Sequence, residues 1–243
     1  MITQFQLDLQ EDSGRPLPSF WAYRLYAWLL TQIDSEIADR LHQQGEKPVA
    51  QYLYWDREAG TNRWVVNLLN EEMSQLFSKS LRETQEISLH TGVLHVDRCE
   101  ASTWTAQELA ETAASVDLPR RTTIRFLTPT AFKSEGRYAI FPQERWLIQA
   151  LVTKWNLSFP EMPLDDEDAI AALGQGLAIT DYALRTTLYP LKNVKIPGFW
   201  GTVTIESRLP APLEEIWQLL LQFAPYAGVG IKTTLGMGAI CRE

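Results

Sequence analysis

Cysteine is scarce in this 243-residue chain, with Cys99 and Cys241 the only two. That excludes a disulfide scaffold and any CxxC metal or redox site. The opening, MITQFQLDLQEDSG, has neither a basic end nor an apolar run, so no export signal is read there. The most apolar stretch, Phe20 to Leu30, is broken by Arg24 and is too short to span a bilayer. These absences predict a cytoplasmic protein with reduced thiols and no membrane contact. Positive charge is also in deficit: 22 Lys and Arg against 30 Asp and Glu leave a net charge of −8. Taken whole, that balance argues against nucleic acid. No GxSxG, HExxH or catalytic Cys-His pattern occurs.

What is present can fill a core. Nine Trp, eight Tyr and nine Phe within a 45% hydrophobic composition exclude a disordered chain. The charge is unevenly spread. Residues 1–116 hold 9 basic and 17 acidic residues, whereas 117–243 hold 13 of each. Within the second half, 119–154 carries Arg120, Arg121, Arg125, Lys133, Arg137, Arg145 and Lys154 against only Glu135 and Glu144. A basic face on an acidic molecule, or simply a solvated surface, fits this pattern. The acid of this half collects in EMPLDDED, 161–168, without EF-hand spacing.

Periodicity organises the chain. Ile2–Leu9 alternates as a half-buried strand. Ser19 can cap a helix through Leu30, and Asp34 or Ser35 a second over 35–43 that Gly45 and Pro48 stop. Gln51–Trp55 and Trp64–Leu69 read as strands about the Gly60 turn. Asn70 caps a helix over 71–81, and Ile87–Val96 is the closing strand. This is the ferredoxin-like βαββαβ order. After a connecting helix at Thr105–Ala114 the order returns: strand Thr122–Phe132, with Tyr138–Phe141 pairing back across Gly136, then helices at Glu144–Trp155 and Asp165–Leu173. Strands Thr180–Leu191 and Phe199–Ser207 follow, about a Pro197-Gly198 turn. Helix Leu213–Phe223 and strand Met237–Cys241 end the chain. The prediction is an α+β protein of two tandem ferredoxin-like (RRM-like) domains, 1–117 and 118–243.

Three constellations could carry chemistry. Gly228, Gly230, Gly236 and Gly238 fall within eleven positions between a helix and the last strand, with Lys232, Thr233 and Thr234 among them. Such a loop either converges N–H groups into an anion nest or packs as a tight turn. It is no P-loop, because the strand–loop–helix order is reversed. Phe126–Lys133 alternates aromatic and basic residues beside the basic cluster, as a base-stacking strand or a core strand would. His42, in the last turn of its short helix, is either a proton donor favoured as imidazolium or a polar residue serving carbonyls. His90 and His95 fall on opposite faces of one predicted strand, with Cys99 joining only the face of His95, so no tetrahedral metal site forms.

Together these pieces resemble one family. Two βαββαβ units, IADRLH ending in His42, TPTAFK with YAIFP, TDYAL, KIPGFWG and FAPYAGVGIKTTLGMG are similar to the CRISPR-associated repeat-processing endoribonucleases (the Cas-six type of the RAMP superfamily). The bacterial members that accompany type III-A (Csm) systems are the nearest in pattern, and the resemblance covers essentially the whole chain. It implies a metal-independent, cofactor-free nuclease that cuts CRISPR repeat RNA in the precursor transcript. The ribose 2′-hydroxyl attacks the adjacent phosphate, leaving a 2′,3′-cyclic phosphate and a 5′-hydroxyl. The family's histidine falls on His42, as acid or base, with Tyr26 and Lys47 as the nearest further catalytic candidates. Gly228, Gly230, Gly236 and Gly238, with Lys232, Thr233 and Thr234, match the RNA-approaching loop. Lys195, Lys192, Lys133 and Arg125 complete the implied RNA contacts, and Trp200 stands where several relatives carry a basic residue. Two alternatives use the same features: a non-catalytic RNA-binding subunit of a CRISPR effector complex, or a structural subunit acting through protein contacts. A transient contact with the type III-A effector complex and a homodimer through exposed sheet edges are further expectations.

Overall fold

The computed structural model describes residues 1–11, 14–43 (without the side chains of His42 and Gln43), 47–116 and 119–243. The N-terminal half opens with β1 (Ile2–Gln10), α1 (Ala22–Leu30) and α2 (Ser35–Gln43). It continues through β2 (Val49–Asp56), β3 (Thr61–Leu68), α3 (Glu71–Glu83), β4 (Glu86–Leu89), β5 (Gly92–Trp104) and α4 (Ala106–Ser115). Its antiparallel sheet has the order β2-β3-β1-β5-β4. The alternation of β1 does what it predicts: Phe5, Leu7 and Leu9 point into a core shared with Leu25, Leu29, Leu41, Phe77 and Leu81 of the three helices. Caps read from sequence are present. Asn70 accepts from the N–H of Met73 at 2.9 Å, and Asp34 from that of Glu36 at 2.8 Å. At α4, Thr105, expected as the first helical residue, is instead the N-cap, in a capping box with Glu108.

The C-terminal half comprises β6 (Arg121–Thr130), β7 (Phe132–Ser134), β8 (Arg137–Ala139), α5 (Glu144–Ser158) and α6 (Glu167–Gly176). Then come β9 (Leu177–Leu191), β10 (Val194–Ser207), α7 (Ala211–Ala227) and β11 (Ile240–Arg242). The order β11-β6-β10-β9 is the ferredoxin-like one, with α5 and α7 packed against one face through Trp155, Trp217 and Phe223. The connecting α4 lends Leu109 and Ala113 to this second core, which also holds Ile2, Ala50 and Leu69. The two halves therefore share buried apolar surface.

Several boundaries differ from expectation. The closing strand 87–96 is a hairpin: β4 and β5 turn at His90–Thr91, with Gly92 at φ 143°. His90 thus sits in a turn, not on a strand face. Ser19 does not cap α1; a 3-10 turn, Ser19–Trp21, precedes it without a side-chain cap. The strand expected over 138–141 is Arg137–Ala139, and it pairs back on β7 instead of on β6. Pro197-Gly198 lies inside β10, and the hairpin turns at Lys192–Asn193, where Lys192 is left-handed at φ 53°. Pro197 is tolerated because β6 begins to pair only at Phe199, so β10 has a single neighbour there. Gly45 and the Asp117–Leu118 domain boundary lie outside the described residues.

Candidate functional site

The glycine loop, 228–238, crosses the end of β6 and lies against α1. Its backbone is tied down at both strands. Ile231 donates to Ala131 O at 2.9 Å, Gly238 to Pro129 O at 3.1 Å and Val229 to Gly238 O at 2.8 Å. The glycines are required by these close approaches. A Cβ on Gly238 would lie 2.0 Å from Val229 O, and one on Gly230 2.3 Å from Ala131 O. A Cβ on Gly236 would meet Ala22 Cβ of α1 at 2.4 Å and the Tyr189 hydroxyl at 2.6 Å. All four glycines have positive φ. The tight-packing alternative therefore accounts for them, and it also fixes the loop against the other half of the molecule.

Two buried polar side chains hold that junction. Gln51, 1% exposed on β2, donates through Nε2 to Thr234 O at 2.8 Å and to Ala22 O at 2.9 Å. Its Oε1 accepts from Trp64 Nε1 at 2.8 Å. Tyr189 on β9 donates to Leu235 O at 2.6 Å, and burial pushes its phenol well above the usual tyrosine range. Beneath the loop, Lys154 of α5 is 3% exposed, and its Nζ donates to Ala227 O at 2.5 Å and to Thr233 Oγ1 at 2.7 Å. An ammonium at that place satisfies one of the carbonyls that the C-terminal end of α7 leaves without a helical partner, and favours its dipole.

The loop's outer surface differs. Lys232 is exposed and left-handed at φ 58°, while Thr233 is buried on Lys154. Lys133, Lys192 and Lys195 are exposed too. Residues within two positions of them in sequence, Ala131, Leu191, Ile196 and Ile231, pack in one cluster with Met237, Phe20 and Tyr23. The chain segments that carry these four lysines thus converge beside Phe20 and Tyr23. Arg125 stands apart from them, in the middle of β6, in an ion pair with Glu243.

The catalytic candidates come from α1, α2 and the segment after α2. His42 holds the penultimate position of α2, and its side chain lies outside the described residues. Leu41 beside it is 1% exposed in the core on which Leu235 of the loop also packs. Tyr26 is 3% exposed in that core, and burial pushes its phenol up to about 12. Lys47 is half-buried ahead of β2. Among the described residues no group of three or more His, Cys, Asp and Glu is arranged to hold a metal ion.

Sequence reading missed Gln51, Tyr189 and Lys154. Two of them carry a legible signal. Gln51 shares the inward parity of Val49 and Leu53, and Lys154 falls on the face of Leu147 and Leu151 in α5. A polar residue on an apolar stripe needs an internal partner.

Two ferredoxin-like units thus meet at a glycine loop that carries the exposed Lys232. The profile of the CRISPR-associated endoribonuclease Cas6 family matches residues 124–240. A Cas6 endoribonuclease of Streptococcus thermophilus is 34% identical over 223 residues, 91% of each chain. One from Mycobacterium tuberculosis is 26% identical over 220 residues, 89% of this chain and 69% of the other. The chain belongs to the Cas6 family of CRISPR-associated endoribonucleases. Among solved structures, a Cas6 product complex matches with a TM-score of 0.83 at 23% identity, covering 100% of both chains. Thermus thermophilus Cas6 matches at 0.78 and 24%, covering 100% of this chain and 98% of that one. These likenesses bear out the tandem ferredoxin-like fold. No helix of the described residues is long and apolar enough to cross a membrane.

Proposed function

We propose that this chain cuts the repeat of a CRISPR precursor transcript by a metal-independent route. The ribose 2′-oxygen attacks the adjacent phosphorus while the bond to the 5′-oxygen breaks. A 2′,3′-cyclic phosphate and a 5′-hydroxyl result. The nucleophile is supplied by the substrate, so the protein's tasks are alignment, proton transfer and charge stabilisation. His42 takes one proton-transfer role, as base toward the 2′-hydroxyl or as acid toward the 5′-oxygen. Lys232, Lys195, Lys192 and Lys133, with the outward backbone of the glycine loop, grip the phosphates. Lys47 is a second cation near the end of α2. Arg125 contacts RNA only when Glu243 releases it. Tyr26, whose buried phenol stays protonated far above neutrality, supports α1 rather than relaying protons. The functional units are residues 1–117, carrying His42, and 118–243, carrying the loop. We place the reaction in the cytoplasm, with hand-over of the product to a type III-A effector complex.

The observation that carries this reading is the junction itself. Gln51 and Gly236 bind the C-terminal loop to α1, and Leu235 packs on the same core as Leu41 beside His42. A strand gripped by the loop is thereby delivered to the half that carries the imidazole. The test is single-turnover cleavage of repeat RNA in EDTA. His42→Ala is expected to lose about 10²–10⁴-fold in rate while retaining RNA binding. A 2′-deoxy substitution at the cut site is expected to abolish the reaction. Undiminished cleavage by His42→Ala removes the imidazole from the mechanism. RNA that binds but stays intact with the wild-type chain assigns a non-catalytic RNA-holding role.

A further inference from the structure

From Val194 to Thr204, β10 pairs with β9 without a break in register, so successive rows of the ladder face opposite ways. Phe199 and Val203 point into the core beneath α5 and α7. The rows between them, Ile196 with Tyr189, Gly198 with Thr187, Trp200 with Arg185 and Thr202 with Ala183, lie on the face away from those helices. The glycine loop and α1 cover the first of these rows. Ile196 and Tyr189 are buried in a cluster with Tyr23 and Leu235, and Tyr189 donates to Leu235 O. Two rows on, about 13 Å along the strands, stand Trp200 and Arg185. Trp200 is 45% exposed, and Arg185 is exposed as well. Neither side chain has a hydrogen bond, ion pair or ring contact among the described residues.

We propose that Trp200 stacks on one unpaired base of the bound RNA while Arg185 pairs with a phosphate beside it, a reading that rests on the RNA-cutting role above. An indole and an unpaired guanidinium side by side on one open sheet face match the two things a single strand presents, a base face and a phosphate. The rows beyond set the limit of the site. Next come Ala183 and Thr202, beside Arg125 of β6, whose guanidinium Glu243 already holds. The row after that carries Asp181, an exposed carboxylate. The free face is therefore cationic only beside the loop, and a strand leaving the loop meets Trp200 before it meets repulsion. A protein partner fits less well, because one indole among threonines and an alanine offers far less than the about 800 Å² that each side of a stable interface buries. Stacking tolerates any base. The contact thus fixes where the strand lies, about 13 Å from the loop's edge, rather than which base it carries.

Filter binding of the full chain to repeat RNA with a 2′-deoxy nucleotide at the cut site, in several salt concentrations, tests the proposal. Trp200→Ala is expected to weaken binding at least about fivefold with no change in the slope of log affinity against log salt, whereas Trp200→Phe keeps most of the affinity. Arg185→Ala should reduce that slope by about 0.7. Abasic nucleotides placed one at a time along the repeat and its flanks locate the stacked base: one position should weaken the wild type as much as Trp200→Ala does, and cost that variant nothing further. Trp200→Ala that binds as the wild type does overturns the proposal and leaves the face to a protein partner. A loss that every abasic position leaves additive overturns it too, since the indole then acts on the fold and not on a base. Cleavage of unmodified repeat RNA by the wild type, read in parallel, keeps the two readings apart: RNA that is cut while Trp200→Ala binds it normally removes the stacking contact alone.

Discussion

Replacing Lys154 by Met tests whether the buried ammonium holds the glycine loop in place. Methionine keeps most of the aliphatic stem and removes the donor, leaving at least Ala227 O and Thr233 Oγ1 without it. A hydrogen bond to a charged group contributes about 1.5–3 kcal/mol, and an orphaned buried acceptor costs about 1–3 kcal/mol. The recovered cost of dehydrating the ammonium offsets part of this. A net loss of about 2–4 kcal/mol follows. For a chain of this size each kcal/mol shifts the melting temperature by about 2–4 °C, so about 3 kcal/mol corresponds to a fall of about 6–12 °C. Thr233→Val removes only the bond to Oγ1 and should cost about half as much. The functional readout is RNA affinity measured well below both melting temperatures. Lys154→Met should weaken binding more than Thr233→Val, because it also frees the end of α7 from which the loop departs. A melting temperature within about 2 °C of wild type, with unchanged affinity, would refute the clamp.

Other perturbations separate the remaining parts of the site. Gly238→Ala, with its Cβ 2.0 Å from Val229 O and φ 76°, should cost at least about 2 kcal/mol or prevent folding, whereas Gly174→Ala in α6, with open space around it, should stabilise by up to about 1 kcal/mol in denaturant unfolding. Lys232→Ala should lower RNA affinity and reduce the slope of log affinity against log salt by about 0.7, read by filter binding at several salt concentrations. The phenol of Tyr26 is raised by burial from 10.0 to about 12. The folded state therefore holds its proton more tightly. That contribution is fully present below pH 10 and is lost as pH rises through about 12; it amounts to at most about 3 kcal/mol. Tyr26→Phe should accordingly flatten the alkaline fall in melting temperature.

Elements whose signal is local were legible in the sequence. Asn70 and Asp34 cap as their types predict, because an N-cap is a contact between near neighbours. β1 buries Phe5, Leu7 and Leu9 because period-two alternation is decided by one sheet face. The readings that failed depended on what lies beside a segment. Pro197-Gly198 has the composition of a turn, yet it is a strand where one neighbour suffices. Ile87–Val96 has the composition of one strand, yet Gly92 permits a reversal that periodicity does not record. The site follows the same division. Glycine density drew attention to 228–238, but composition left open whether the loop approaches a ligand or its own protein. The distances decide for the protein at each glycine, and Gly236 decides most, because its partners are Ala22 and Tyr189, far apart in sequence. That close approach gives the glycines a consequence for function. A loop free to adapt to RNA would hold phosphates without reference to α1, and any displacement of the N-terminal half would part the cations from His42. A loop locked on Gln51, Tyr189 and Lys154 transmits the position of one half to the other. On the proposed mechanism, the lysines can then stay solvated at their tips while the backbone that carries them is fixed, and the alignment an in-line attack would need would come from buried amide, hydroxyl and amino groups set apart from the substrate.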